Sequence, residues 1–386
     1  MATFWTEKET AMPITIKEVH TRRDMKRFIY LMETLNSSTP DWVPPIYADE
    51  LHNIDPRKNP AHEYCDSILA LAYDGDELVG RIAGIINKRY NEYAQTKTAR
   101  FGFLETPDRL EVTRALLEFV EDWARKQGMA RIVGPMGFTE EDSEGFIFEG
   151  YHETPSLGCI QNQPYIIEHM DKLGWLKELD YVVYKIDIQG AMTPLYAKLF
   201  ERASRNPAYK LKEFTKKSQL KPYIQPIFRL MNEAFDKIYG YSPLDEQDVV
   251  LMAKRYMPLL DPRFIKAAVT PEDEVIGFII SIPNMAPGFI KARGRLLPFG
   301  IFHILRASKK STQLDNYLGA VKKEFRGKGV DVLIGYAQLR TASKLGFTIM
   351  DTHHEMETNA PMRAESERAG GVVYKRYRIY RKEFTD

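Results

Sequence analysis

VKKEFRGKGVDVLIGYAQLRTASKLG, residues 321–346, decides the fold. Two glycines, an arginine and a lysine crowd into residues 326–329, directly before an apolar-periodic run. Val332, Leu333, Tyr336, Leu339 and Ala342 recur on or near one face, so residues 332–343 are expected to be helical. Before the turn, 314–321 is a strand-like run, and 347–353 is another. A strand, a glycine-rich turn and a helix place unpaired backbone N–H groups at a helix N-terminus, where the helix dipole also favours anionic oxygens. Two readings compete, a solvated basic turn and a grip for a phosphate. The P-loop pattern is absent, and GKGVDV supplies only the first two glycines of a dinucleotide fingerprint.

Outward from this stretch the chain repeats itself. Residues 16–19 (IKEV) recur as 211–214 (LKEF). DGDELVGRIAGI at 74–85 resembles PEDEVIGFIISI at 271–282, placing Gly80 and Gly277 at an offset of 197. Asn162 and Asn359 share that offset, as do Gly174 and Gly371. Each half closes on a Tyr-rich strand, YVVYKIDI or VVYKRYRIY. The halves are read as 1–187 and 188–386, with 187–194 as the linker. Each is expected to run strand, helical region, strands, helix, strand, helix, strand. The second half carries surplus residues at 284–310, and the first carries its own at 134–156. The 284–310 run mixes Arg and Lys with Leu, Phe and Ile. It reads as a helical packing element, a lid over an acyl chain or a membrane-surface helix, interrupted by Pro298 and Gly300.

Composition narrows the class. At 386 residues the chain is long enough for two cores, and 44% apolar with 28% charged residues is a globular balance. A formal net charge of +1 does not suit a nucleic-acid partner. Cys65 and Cys159 are far apart and lack metal-type spacing, so neither a disulfide nor a cysteine zinc site is expected. No apolar run approaches bilayer-spanning length, and residues 1–13 have no secretion-signal pattern, so a cytoplasmic protein without stable membrane insertion is expected.

Residues 321–330 resemble the acyl-CoA pyrophosphate loop of the GNAT superfamily of N-acyltransferases. The chain resembles a bacterial branch with two such units in tandem, through Gly134-Pro135-Met136, the acidic stretch 140–144 and residues 162–165 in the first half. The resemblance implies an α/β (α+β) fold of two GNAT-like units, each a mixed, mostly antiparallel sheet flanked by helices. It implies one acyl-CoA, acetyl or other, held by Val321, Lys322, Arg326, Gly327, Lys328, Gly329, Val330 and Asn359. Asp331 departs from the family's small residue. The resemblance implies an N-acyltransferase, with acetyl the favoured acyl group, acting on a primary amine of a small molecule or peptide, without a metal. A non-catalytic CoA-binding protein and an aminoacyl-transferase-like enzyme are the alternatives. Residues 319–322 would supply the backbone edge for the thioester. Glu355 is the candidate base. Ser366 stands where the family places an acidic tyrosine, and Tyr374 is a substitute acid. Strand alternation along 351–357 would point His353 and His354 to opposite faces, away from a shared metal. Before the helix of the first half, ETPDRLEV has no glycine and places Glu105, Asp108 and Glu111 where phosphates would lie, so that half is expected to lack the grip. Thr106 and Pro107 read there as an ordinary helix start.

Overall fold

A computed structural model describes residues 13–39, 41–139, 142–257 and 260–384. The amino-terminal run read for a signal, up to residue 12, and Glu140 and Glu141 of the acidic stretch lie outside them.

In the first half the elements are β1 (Thr15–Glu18), α1 (Arg22–Leu35), α2 (Tyr47–Asn53), β2 (Cys65–Asp74), β3 (Glu77–Asn87), α3 (Lys88–Tyr93), β4 (Thr98–Glu105), α4 (Leu110–Lys126), β5 (Arg131–Gly134), β6 (Phe146–Glu149), α5 (Tyr165–Lys172) and β7 (Leu176–Asp187). The second half begins with α6 (Ile188–Ala191), α7 (Pro194–Ser204), β8 (Lys210–Glu213), α8 (Ile224–Ala234) and α9 (Glu246–Tyr256). It continues with β9 (Ile265–Val269), β10 (Val275–Pro283), α10 (Ala286–Ala292), α11 (Gly300–Lys310), β11 (Gln313–Val321), α12 (Val330–Lys344), β12 (Ile349–Asp351), β13 (Glu355–Met356), α13 (Ala360–Arg368) and β14 (Val372–Glu383). The surplus 284–310 is thus a helical hairpin, α10 and α11, set between β10 and β11. It docks on the first half: Arg295 pairs with Glu33, and the Tyr47 N–H donates to Gly294 O.

One sheet joins both halves in the order β1-β2-β3-β4-β5-β14-β7-β12-β11-β10-β9-β8, with β6 on β14 and β13 on β7. Neighbours are antiparallel except β4 with β5 and β11 with β12. The order is palindromic, and its centre is an exchange. β14, the last strand of the second half, lies against β5, while β7, the last of the first, lies against β12. The sheet is therefore continuous across the expected boundary at 187/188.

The matched glycines mark equivalent packing. A Cβ on Gly80 would sit 2.8 Å from the Leu116 side chain on α4, and one on Gly277 would sit 2.7 Å from Val330 on α12. Each helix lies on its sheet at a point where only hydrogen fits. α4 buries Val112, Leu116, Val120 and Ala124 along one stripe. α12 is buried on more sides, because α7 covers its outer face, with Tyr196 and Phe200 packed on Tyr336 at 5.2 and 4.9 Å.

Candidate active site

β11 and β12 are paired only at Gln313–Ile349, Leu314–Met350 and Asp315–Asp351. Beyond Asp315, β11 bulges at Tyr317, which falls between the pairs Asn316–Ser281 and Leu318–Ile280. A bulge leaves its extra residue without a ladder partner and bends the strand. β12 ends at Asp351, so a wedge opens between the two strands.

The first half repeats this splay but fills it. β4 and β5 pair from Thr98–Arg131 to Arg100–Val133, and β4 has a matching irregularity between Gly102 and Glu105. The chain leaving β5 then returns into the gap. The Met136 N–H donates to Phe101 O at 2.8 Å, the Arg100 guanidinium donates to Gly137 O at 3.2 Å, and Phe138 is fully buried. Thr106 is also buried, and its hydroxyl is 2.9 Å from that of Thr113.

Beside the open wedge stands the loop 322–329. Gly329 is the N-cap of α12 with φ +90°, and Gly327 has φ +69°. Both lie in the left-handed region that favours glycine. A Cβ on Gly329 would come 3.1 Å from the Tyr209 hydroxyl, which donates to Lys328 O at 2.7 Å. Gly329 is therefore fixed by its own conformation and by Tyr209, whereas Gly327 faces open space. Gly329 gives α12 no side-chain cap, leaving its first-turn N–H groups as donors. Arg326 Nε donates to Val321 O at 3.0 Å, and Lys328 is exposed. Lys322 is engaged by Glu274 and Glu324 at 2.6 and 3.1 Å. The Val321 strand end pairs with Gly277, and Val330 is core. Asn359 caps α13, accepting from the Met362 N–H at 3.4 Å. Asp331 lies in the first turn of α12, and burial with the Asp331 charge pushes the Glu365 carboxyl up to about 7.

At the closed end of the wedge lies a buried polar cluster. Lys375 Nζ donates to Asp351 Oδ2 at 2.9 Å, to Ser156 Oγ at 3.2 Å and to Thr154 O at 3.1 Å. Ser156 and the Tyr374 hydroxyl also donate to Asp351. Burial would raise Asp351, but the Lys375 ammonium and the Tyr374 hydroxyl hold it below its ordinary range. Asp315, held by Asn284 and Gln313, is pushed up to about 8 by burial and by the Asp351 charge.

The segment after β12 does not continue as a strand. His353 takes φ +59°, and its N–H donates to Asp351 Oδ1 at 2.6 Å. This break overturns the expected alternation: both imidazoles converge on Cys159 of the first half. Cys159 Sγ lies 3.5 Å from His354 Nε2 and 3.7 Å from His353 Nε2. His354 stacks on Tyr181, and His353 meets the bulged Tyr317 edge-on at 5.4 Å. Against the burial that would raise it, the two imidazoles hold the Cys159 thiol well below its ordinary value. Against burial in turn, Cys159 pushes His353 up to about 9. Cys65, buried elsewhere, is pushed up to about 12, chiefly by desolvation.

Glu355 and Ser366 come together, the Ser366 hydroxyl donating to Glu355 Oε1 at 2.6 Å. Both are buried, and burial raises the Glu355 carboxyl. An apolar pocket is lined by Ile227 and Phe228 of α8, Met252 of α9, Ile280 of β10, and Tyr317 and Leu318 of β11.

No protein-family model matches the chain. It is 26% identical over 383 residues to the bacterial ceramide synthase of Caulobacter vibrioides, covering 97% of this chain and 98% of that one. It is 24% identical over 372 residues to protein YghO of Escherichia coli, covering 94% and 93%. A tandem GNAT protein from the clavulanic acid biosynthesis pathway superposes with a TM-score of 0.55 at 14% identity, over 97% of this chain and 100% of that one. The chain has the tandem GNAT fold.

Within this tandem GNAT fold, the glycine loop and residues 319–322 lie on or beside β11, Glu355 and Ser366 are hydrogen-bonded to each other, and Tyr374 reaches Asp351. Sequence reasoning missed Ser156, Cys159 and Lys375. For Ser156 and Cys159 the signal was the surplus at 134–156, whose continuation carries them to Asp351, His353 and His354, whereas Lys375 lies in β14 and left none. Among the described residues no helix is long and apolar enough to cross a membrane.

Proposed function

We propose that this protein transfers an acyl group from acyl-CoA to a primary amine, using the wedge between β11 and β12. The observation that carries this reading is the contrast between the two units. One wedge is open beside a glycine-opened helix, and the other is filled by residues 134–138 with no glycine before its helix. In this reading the pyrophosphate sits on the first-turn N–H groups of α12, with Arg326 and Lys328 adding positive charge. Pantetheine runs along the wedge, and backbone groups at the Tyr317 bulge receive the thioester carbonyl as it becomes an oxyanion. Glu355 is proposed as a base for the amine, with Ser366 and Tyr374 as hydroxyls near the chemistry.

The donor is proposed to be longer than acetyl. The pocket at Tyr317 and Leu318 has an almost wholly apolar lining, which suits an alkyl chain and gives acetyl nothing to fill. The name of the Caulobacter relative points the same way, because a ceramide is the amide of a fatty acid and a long-chain amino alcohol. We therefore propose a long-chain amino alcohol as the acceptor.

A chain-length series tests this directly. Thiol release from acetyl-, octanoyl- and palmitoyl-CoA, with sphinganine as acceptor, should show kcat/KM rising with length. Bulky Ile227→Trp should reverse the order. Equal use of acetyl-CoA would remove the long-chain reading, and absence of CoA binding would remove the enzyme.

A further inference from the structure

Cys159 reaches the wedge on the loop after β6, and its surroundings are those of a working thiol. Leu157 and Tyr317 pack on one buried cluster, Ile282, Met285 and Phe289, which holds this loop against the bulge of β11. From Tyr317 the next ring is His353, and beyond it lies Cys159 Sγ. His353 Nε2 lies 3.0 Å from Leu157 O, so that nitrogen carries a proton and faces a carbonyl. His354 is held in a sandwich, on Tyr181 at 5.0 Å and against Tyr377 at 4.3 Å, with its Nε2 towards the sulfur.

We propose that Cys159 is a nucleophile that takes the acyl group from acyl-CoA before the amine receives it. This rests on the acyl-CoA reading above. The Cys159 thiolate attacks the thioester carbonyl carbon, a Sγ–C bond forms, and the C–S bond to CoA breaks. CoA leaves as a thiolate that takes the proton of the imidazolium. The amine then attacks the acyl-cysteine, an N–C bond forms, and the Sγ–C bond breaks. The amine's proton passes to the imidazole, and the Cys159 thiolate returns. Exchange of one thioester for another leaves bond energies nearly balanced, so no co-reactant is needed. The lowered Cys159 and raised His353 values fit a thiolate–imidazolium pair. The same three side chains are grouped closely enough for a metal ion. The Leu157 carbonyl argues against the metal, because it accepts from the His353 nitrogen that a metal would need; the same nitrogen lies 3.7 Å from Cys159 Sγ, so its proton is shared between carbonyl and sulfur.

The full chain is mixed with palmitoyl-CoA and no amine, then quenched rapidly. A burst of about one free CoA per chain is expected, with a hydroxylamine-labile palmitoyl group on the peptide containing Cys159. Cys159→Ser should bind CoA normally in isothermal titration and lose the burst, and Cys65→Ser should keep it. Wild-type-like acyl transfer by Cys159→Ser, or stoichiometric zinc that this variant loses, would overturn the nucleophile and leave the acyltransferase standing. A wild-type chain that neither binds CoA nor transfers acyl groups would instead remove the acyltransferase reading itself.

A second inference rests on the α10–α11 hairpin alone. Residues 284–310 hold Lys291, Arg293, Arg306, Lys309 and Lys310, besides the Arg295 paired with Glu33, and no acid, in a chain whose formal net charge is +1. Between those cations Leu297, Phe299 and Phe302 are 81%, 68% and 64% exposed. We infer that this tip seats on an anionic bilayer surface, apolar side chains in the acyl boundary and cations among the headgroups. In vesicle flotation, the protein should bind phosphatidylcholine containing phosphatidylglycerol, bind phosphatidylcholine alone weakly, and release with salt. The combined Leu297→Ser, Phe299→Ser and Phe302→Ser variant should stay unbound while keeping its CoA affinity. Equal binding to neutral vesicles, or full binding by the variant, would refute it.

Discussion

Ser156 and Asp351, 195 residues apart in the chain, are joined by a 2.7 Å hydrogen bond in the buried interior. This bond ties the first unit's crossing loop to the strand end that bounds the second unit's wedge. Lys375 from the exchanged strand β14 completes the same cluster.

Asp351→Asn should therefore be strongly destabilising. It leaves the Lys375 ammonium fully buried with only neutral acceptors, a loss of about 3–5 kcal/mol for a broken buried pair. Urea unfolding checks the magnitude. The double variant Asp351→Leu, Lys375→Met should recover much of the loss, because it removes both charges.

Stability should also fall between weakly acidic and weakly basic pH through Asp315. Its folded value of about 8 lies above its ordinary 3.8, so the folded state keeps a proton that the unfolded chain releases. This contribution is unopposed below pH 3.8 and is eroded as pH rises towards about 8. Asp351 has the opposite sign, being held low, and its contribution is lost only in strong acid. Asp315→Asn should raise stability at alkaline pH relative to wild type and flatten the profile. An unchanged profile in urea titrations would assign the slope to other groups.

One CoA per chain is expected in isothermal titration. Gly329→Val should cost at least tenfold in affinity, about 1.4 kcal/mol, through loss of the left-handed cap and collision with Tyr209. Gly327→Ala, at an open position, should cost less. Changes at Thr106 or Asp108 should leave CoA affinity unaltered, and two equivalent CoA sites would contradict the open-and-filled contrast.

Glu355→Gln should fold, because the amide oxygen can still accept from Ser366. If Glu355 takes the amine's proton, kcat should drop by about 10²–10⁴-fold, the range for losing a positioned base. Full turnover across pH would confine Glu355 to a structural bond with Ser366.

Local constraints were legible in the sequence. The glycine loop could be read because a left-handed N-cap leaves its mark on adjacent residues. The repeat could be read because Gly80 and Gly277 each lie where a helix presses on a strand, a demand that no other residue meets. The strand exchange left no such mark. β7 and β14 share one Tyr- and Val-rich pattern, and periodicity fixes a strand's faces but not its neighbour. The convergence of Cys159, His353 and His354 was hidden twice over. Alternation assumed that β12 continues, and the left-handed turn at His353 that ends it is set by bonds to Asp351 and Leu157. The third member comes from the other unit, and only tertiary packing of the 150–160 loop into the wedge brings it within reach.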